Sequence, residues 1–305
     1  MTWLTNPYRF GAPPLLIGAR RYWRLVGLPV RDAWIYVANM EMAATPGGAN
    51  LCSGGTPLSS LPATMSNAFD GNVASVWNGV YGSGWTVTNW IGYDFGIDVS
   101  IREVRLQASN GGSSYFANAQ AFIIQASYDA ATWDTVAMIG DGTDWAMSEW
   151  RSYAIPDVYL AATRAEARAW RINPTANNGH AGEYSVGEII FASTPGGPQI
   201  ATGGCAFHGR MFGSGPSTSE IARNSFDGSL TTGHRNNSTP RFLGYLWPAA
   251  PSVAEVRLAP YTGRLTMMIT AGTIEWSVDL INWNVAATFS GLPVVSGTYQ
   301  TVAVP

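Results

Sequence analysis

The chain has 305 residues and a formal net charge of −3, with charged residues at only 12% against 34 Gly and 13 Trp. Charge is about half its usual share and helix-forming charged runs are almost missing, so the composition is that of an all-β protein long enough for two domain-sized units. All 17 basic residues are Arg and none cluster, which argues against nucleic acid as a partner and leaves no lysine for a Schiff base or a phosphate-binding loop.

Residues 1–19 combine Trp3, Tyr8 and Phe10 with Pro13-Pro14 and show no helical period, the composition of an extended arm. It is expected either to fold over its own domain or to anchor the chain in a larger assembly. The start lacks the charge pattern and cleavage site of a signal peptide, and no apolar run reaches bilayer length, so no membrane insertion is expected. Strands are predicted at Tyr22–Val26 and Trp34–Met42, followed by the Thr45-Pro46-Gly47-Gly48 turn and a Gly, Ser, Thr and Pro rich loop over 49–66.

The stretch from Asn67 to Gly96 organises the rest. Phe69 and Trp77 flank a polar Asp70-Gly71-Asn72 turn, and from Trp90 the large side chains alternate with Gly92 and Asp94 in the period of a half-buried strand that Gly96 ends. Between them, glycines leave Tyr81 and Trp85 without an obvious core role. Further strands are predicted at Val104–Ala108, Phe122–Ser127 and Thr135–Met138, with Tyr115 and Phe116 in the loop before the second. The only helical segment expected is Ala161–Arg168, short enough to be a connecting turn.

The whole pattern then recurs in the same order. Trp23-Arg24 is answered by Trp170-Arg171, Thr45-Pro46-Gly47-Gly48 by Thr194-Pro195-Gly196-Gly197, and Phe69-Asp70-Gly71 by Phe226-Asp227-Gly228. Glu103-Val104-Arg105-Leu106 returns as Glu255-Val256-Arg257-Leu258, and Ser127-x-Asp129 with Trp133 as Ser277-x-Asp279 with Trp283. Matched positions lie about 150 residues apart, so the chain is a duplication whose copies differ by loop insertions. The loops diverge most: Phe207 to Phe212 is inserted, and His234-Arg235-Asn236-Asn237 replaces the region of Trp77. Cys52 and Cys205 fall at non-equivalent places, so two free thiols are expected.

The repeated residues, above all Ala68-Phe69-Asp70-Gly71-Asn72 with Trp77, Trp90 to Gly96 and Ala169-Trp170-Arg171-Ile172 ending in Gly187-Glu188-Ile189, resemble discoidin-type, or coagulation-factor C-type, galactose-binding-like modules. The resemblance implies two tandem jelly-roll β-sandwiches. It also implies a structural calcium caged by the Asp-Gly-Asn loop with a hydroxyl and a Glu from the closing strands, here Asp70, Asn72, Ser75 and Glu188. In the second copy Ser229 replaces Asn72, Thr232 is kept, and Asn39 is the expected counterpart of Glu188. The alternative is a loop tied by hydrogen bonds alone.

In the family the Trp-Arg strand comes last. Residues 43–193 therefore read as one complete module and 194–305 as a second, closed by strands from residues 20–42. The other arrangement is two permuted modules, 20–156 and 167–305. The split arrangement is preferred because it joins Glu188 to the Asp70 loop.

No nucleophile elbow or zinc-ligand spacing is present, so no enzyme activity is expected. The Tyr-Trp-Arg and Thr-Pro-Gly-Gly style is similar to modules in tail-fibre and head-spike proteins of tailed phages and gene transfer agents. It implies a virion-surface protein, homo-oligomeric, that holds to other virion proteins by its arm and attaches to a host cell-surface glycan. Candidate sugar-binding residues are Tyr81, Trp85, Tyr115 and Phe116 in one module and His208, Arg210, Phe212, His234 and Arg235 in the other. The competing reading is a virion decoration that binds no glycan.

Overall fold

The computed structural model describes residues 17–27, 34–80, 89–110, 121–156, 163–208, 222–236 and 242–305. Strand is their main regular structure, and what helix there is consists of short 3-10 turns, the longest at Pro62–Phe69 in the stretch expected as loop. The expected Ala161–Arg168 helix is reduced to one such turn at Arg164–Glu166.

Strands of the first half are β1 (Arg20–Gly27), β2 (Trp34–Val37), β3 (Asn39–Ala43), β4 (Thr56–Ser59), β5 (Trp77–Val80), β6 (Trp90–Val99), β7 (Glu103–Gln107), β8 (Ala121–Ser127), β9 (Asp134–Gly140) and β10 (Trp150–Ala154). Those of the second are β11 (Ala169–Asn177), β12 (Tyr184–Val186), β13 (Glu188–Ala192), β14 (Cys205–His208), β15 (His234–Asn236), β16 (Leu243–Leu246), β17 (Glu255–Ala259), β18 (Ile269–Ser277), β19 (Asn284–Phe289) and β20 (Gln300–Ala303). The duplication holds strand for strand. The five-stranded order β4-β6-β1-β8-β9 repeats as β14-β16-β11-β18-β19, the three-stranded β10-β7-β3 as β20-β17-β13, and the pair β2-β5 as β12-β15.

Each half closes on itself. β1 lies between β6 and β8, with Trp23 opposite Tyr93 on one side and Ala126 on the other, and β3 pairs with β7. β11 and β13 take the same places against β16, β18 and β17. This corrects the split arrangement: residues 20–42 complete the first half, not the second, and 169–192 complete the second. The choice is physical. β1 and β11 carry the same Trp-Arg core pattern and would suit either sheet, and each joins the sheet built from the strands that follow it along the chain.

Alternation places Trp23 and Leu25 of β1 in a core shared by both sheets of the first half, with Met40 and Met42 of β3 and Val104 and Leu106 of β7 facing them. Trp170, Ile172, Ile189, Val256 and Leu258 do the same in the second half. Trp23 and Trp170 are fully buried. β6 runs on past Gly96 to Val99, Gly96 supplying a left-handed φ of 74° within the strand rather than ending it.

A third apolar cluster joins the halves. Val26, Ile123 and Met138 on the outer face of the first five-stranded sheet pack with Phe207, Phe242 and Leu246 of the second. The approach is close enough that a Cβ on Gly142 would lie 2.3 Å from the carbonyl oxygen of Gly204. Cys205 belongs to this cluster and Cys52 to the first core, both as free, buried thiols.

Candidate functional site

The Asp-Gly loops of the two halves are built alike. Gly71 and Gly228 adopt φ of 73° and 78°, which only glycine takes without strain, and turn the chain back over its aspartate. Asp70 Oδ1 accepts from the Asn72 N–H at 2.8 Å while the Ser75 hydroxyl donates to Oδ2 at 2.6 Å. Asp227 Oδ1 accepts from the Ser229 N–H at 2.8 Å, and the Thr232 hydroxyl donates to Oδ2 at 2.8 Å.

The third member differs, and not in the expected sense. The Gly71 N–H donates to Asn39 Oδ1 at 2.9 Å, and the Gly228 N–H to Glu188 Oε2 at 3.0 Å. Glu188 therefore sits with Asp227, and Asn39 with Asp70, because the closing strands stay within their own halves. The grouping of Asp70, Asn72 and Ser75 with Glu188 is corrected accordingly.

The electrostatics of the two loops diverge as a result. Asn39 gives its amide to Gln107 Oε1 at 2.8 Å, so the first loop has a neutral amide where the second has a carboxyl. Glu188 is a carboxyl at 2% exposure; burial foremost, with the like charge of Asp227, pushes its pKa up to about 7 against the bonds it accepts. The Tyr299 phenol is also raised, by burial and then by the charges of Glu188 and Asp227. Two carboxylates and the Thr232 hydroxyl form the oxygen-rich set that a hard cation takes, and among the described residues no arginine forms an ion pair with either carboxylate. Among the described residues no group of three or more His, Cys, Asp or Glu could hold a metal, so a cation here would need hydroxyl and carbonyl oxygens as well.

Of the sugar-binding candidates, Tyr81, Trp85, Tyr115, Phe116, Arg210 and Phe212 lie outside the described residues. His208 and His234 are at 1% and 3% exposure and pack against each other with tilted rings, centroids 5.0 Å apart, so neither presents its imidazole to a ligand in solution. Strand register explains why. Trp77 opposes Val37 as His234 opposes Val186, and Ser59 opposes Ile91 as His208 opposes Leu243. In the first half the Trp77 indole donates to the Ser59 hydroxyl at 2.7 Å; the two histidines occupy those same places in the second. They are a rewritten core pair, and burial holds the His208 imidazole well below its usual range and therefore neutral. Arg235, next along β15, is half-buried.

The sequence stretch that contains the first loop and runs on to Glu188 has a known relative. Residues 56–189 match the F5/8 type C domain. The discoidin-type resemblance is thereby shown for that stretch. No curated protein and no solved structure matches the chain. The match begins at β4 and ends inside β13, so the F5/8 type C order is met along the sequence by strands that belong to both halves in space. The places that β11 and β13 hold in the second half are held in the first by β1 and β3, which precede β4 in the chain.

One feature of these sheets was not legible beforehand. The Arg24 guanidinium lies between Trp90 and Trp133, 5.1 and 3.9 Å from their ring centroids, and Arg171 lies between Phe242 and Trp283 at 4.6 and 4.0 Å. The repeated Trp-Arg dipeptide and the hairpin tryptophans were the available signals, but period-2 alternation alone assigns such arginines to solvent.

Proposed function

We propose that the chain is a carbohydrate-binding protein of virion surfaces, built of two galactose-binding-like sandwiches, that attaches its particle to host polysaccharide by binding and not by catalysis. The observation that carries this reading is the F5/8 type C match over residues 56–189, a domain type associated with binding carbohydrate or other ligands. The strand-for-strand repeat supports extending the same sandwich type to both halves. The Tyr-Trp-Arg and Thr-Pro-Gly-Gly resemblance supports a tail-fibre or head-spike setting, in which the N-terminal arm contacts other virion proteins and several copies together supply avidity.

In this reading the sugar is met by the aromatic and polar side chains Tyr81, Trp85, Tyr115, Phe116, Arg210, Phe212 and Arg235, whereas His208 and His234 serve the core. A structural calcium, in this reading, belongs at Asp227, Glu188 and Thr232, where two carboxyl groups meet, and not at Asp70, whose partner is the amide of Asn39. The test is an array of neutral and acidic surface glycans probed with the full chain. Saturable binding that is lost in the Trp85→Ala, Tyr115→Ala double variant is expected. A folded chain that binds no glycan would overturn the reading in favour of a decoration protein.

A further inference from the structure

The internal repeat supplies a direct comparison for the two stacked arginines. In the second half Arg171 Nε donates to Glu275 Oε2 at 2.6 Å, and Glu275 Oε1 also accepts from Asn173 and Thr273, so the guanidinium is neutralised by a well-held carboxylate. Register places Gln125 opposite Arg24 as Glu275 is opposite Arg171. Gln125, at 1% exposure, accepts from Arg24 Nε at 2.8 Å and donates to Thr135 Oγ1 at 3.2 Å. The first half thus keeps the arginine, the flanking aromatics and a hydrogen bond to Nε, but its acceptor is a neutral amide and not an anion.

Arg24 makes no ion pair with any described residue, and its Nη groups have no hydrogen-bond partner there. Burial without a nearby carboxylate lowers its pKa to about 10. Arg24, Trp90 and Trp133 are all part-exposed, Trp90 packs against the cluster that joins the halves, and the Trp133 indole N–H is already used on the Ala130 carbonyl, so the polar group left to meet a ligand is the Nη fork of Arg24. Gly92, across the strand from Arg24, lets the two strands pack closely there, since a Cβ would lie 2.7 Å from Arg24 Cβ.

We propose that Arg24, Trp90 and Trp133 form a binding site for a carboxylate-bearing sugar, the carboxylate pairing with the Nη groups of Arg24 while Gln125 keeps Nε, and so supplying from outside the charge that Glu275 supplies to Arg171 from within. The proposal rests on the carbohydrate-binding reading above and names a site and a sugar class for it. A planar guanidinium with free Nη groups matches a carboxylate geometrically, and an indole face suits the C–H face of a pyranose. The test is calorimetric titration of the full chain with galacturonate and with galactose. Galacturonate should bind roughly tenfold or more tightly than galactose, the worth of a charge-assisted pair. Gln125→Glu, which installs the sister half's internal carboxylate, should lose that preference without a lower Tm, and Arg24→Gln should lose it too. No saturable galacturonate binding, or a preference unchanged in both variants, would overturn the proposal. If galacturonate fails while array glycans still bind, this site is wrong and the carbohydrate reading stands.

Discussion

Glu188→Gln should flatten one limb of the pH–stability profile. The Glu188 pKa stands at about 7 in the fold, from an ordinary 4.5. Between those values the folded chain holds a proton that the unfolded chain has released, so this group's contribution is fully present below pH 4.5 and is lost as pH rises through 7. At about 1.4 kcal/mol per pKa unit the loss is about 3 kcal/mol, and the group's near-complete burial means that little of it is screened by solvent. Gln keeps the acceptor for the Gly228 N–H and has no proton to lose. In chelator, wild type and variant should melt together near pH 4.5, and the variant should melt roughly 6–12 °C higher at pH 7.5. Calcium should then raise the wild-type Tm and leave the Gln variant almost unmoved, since a cation bound only to the native state stabilises it. Tm measured by calorimetry from pH 4.5 to 7.5, with and without calcium, decides the matter. A wild-type-to-variant gap that stays constant across pH would refute the assignment of the buried charge, and an equal calcium response in both would refute the placement of the cation.

The closure of each half on itself predicts that fragment 20–156 melts cooperatively on its own and that 43–193 does not, because the latter lacks β1 between β6 and β8 and carries β11 without its sheet. The double variant His208→Ser, His234→Trp rebuilds the Ser59 and Trp77 pair. The depressed His208 pKa makes wild-type stability fall as pH drops below about 6.5, the unfolded value, so the variant should lose that acid limb in a pH series of melts. Gly142→Val should force the halves apart against the Gly204 carbonyl, cost about 1–3 kcal/mol, and split the calorimetric trace into two transitions.

Much of this architecture could be read in the sequence because the duplication repeats core residues in register: Trp23 with Trp170, Val104 and Leu106 with Val256 and Leu258. The Ser127 and Asp129 hairpin was legible for the same reason. Asp129 Oδ1 accepts from the Ala131 and Thr132 N–H groups, as Asp279 does from Ile281 and Asn282, fixing identical turns. β10 was missed because it is an edge strand whose residues alternate between exposed and half-buried and whose apolar pattern is weak. The owner of each closing strand was misread because β1 and β11 are near-equivalent in sequence, and only tertiary pairing separates them. That one choice also displaced Glu188 from Asp227 to Asp70. The histidines were misread as surface groups because their burial follows from their taking the places of Ser59 and Trp77, which becomes visible only once the strands are in register.

The most direct test of the account is attachment of the full chain to host cells before and after enzymatic removal of their surface polysaccharide. The account predicts saturable binding that disappears with the polysaccharide and is competed by the soluble polymer. Binding that survives complete removal of the polysaccharide, or no binding by a chain that melts cooperatively, would contradict it.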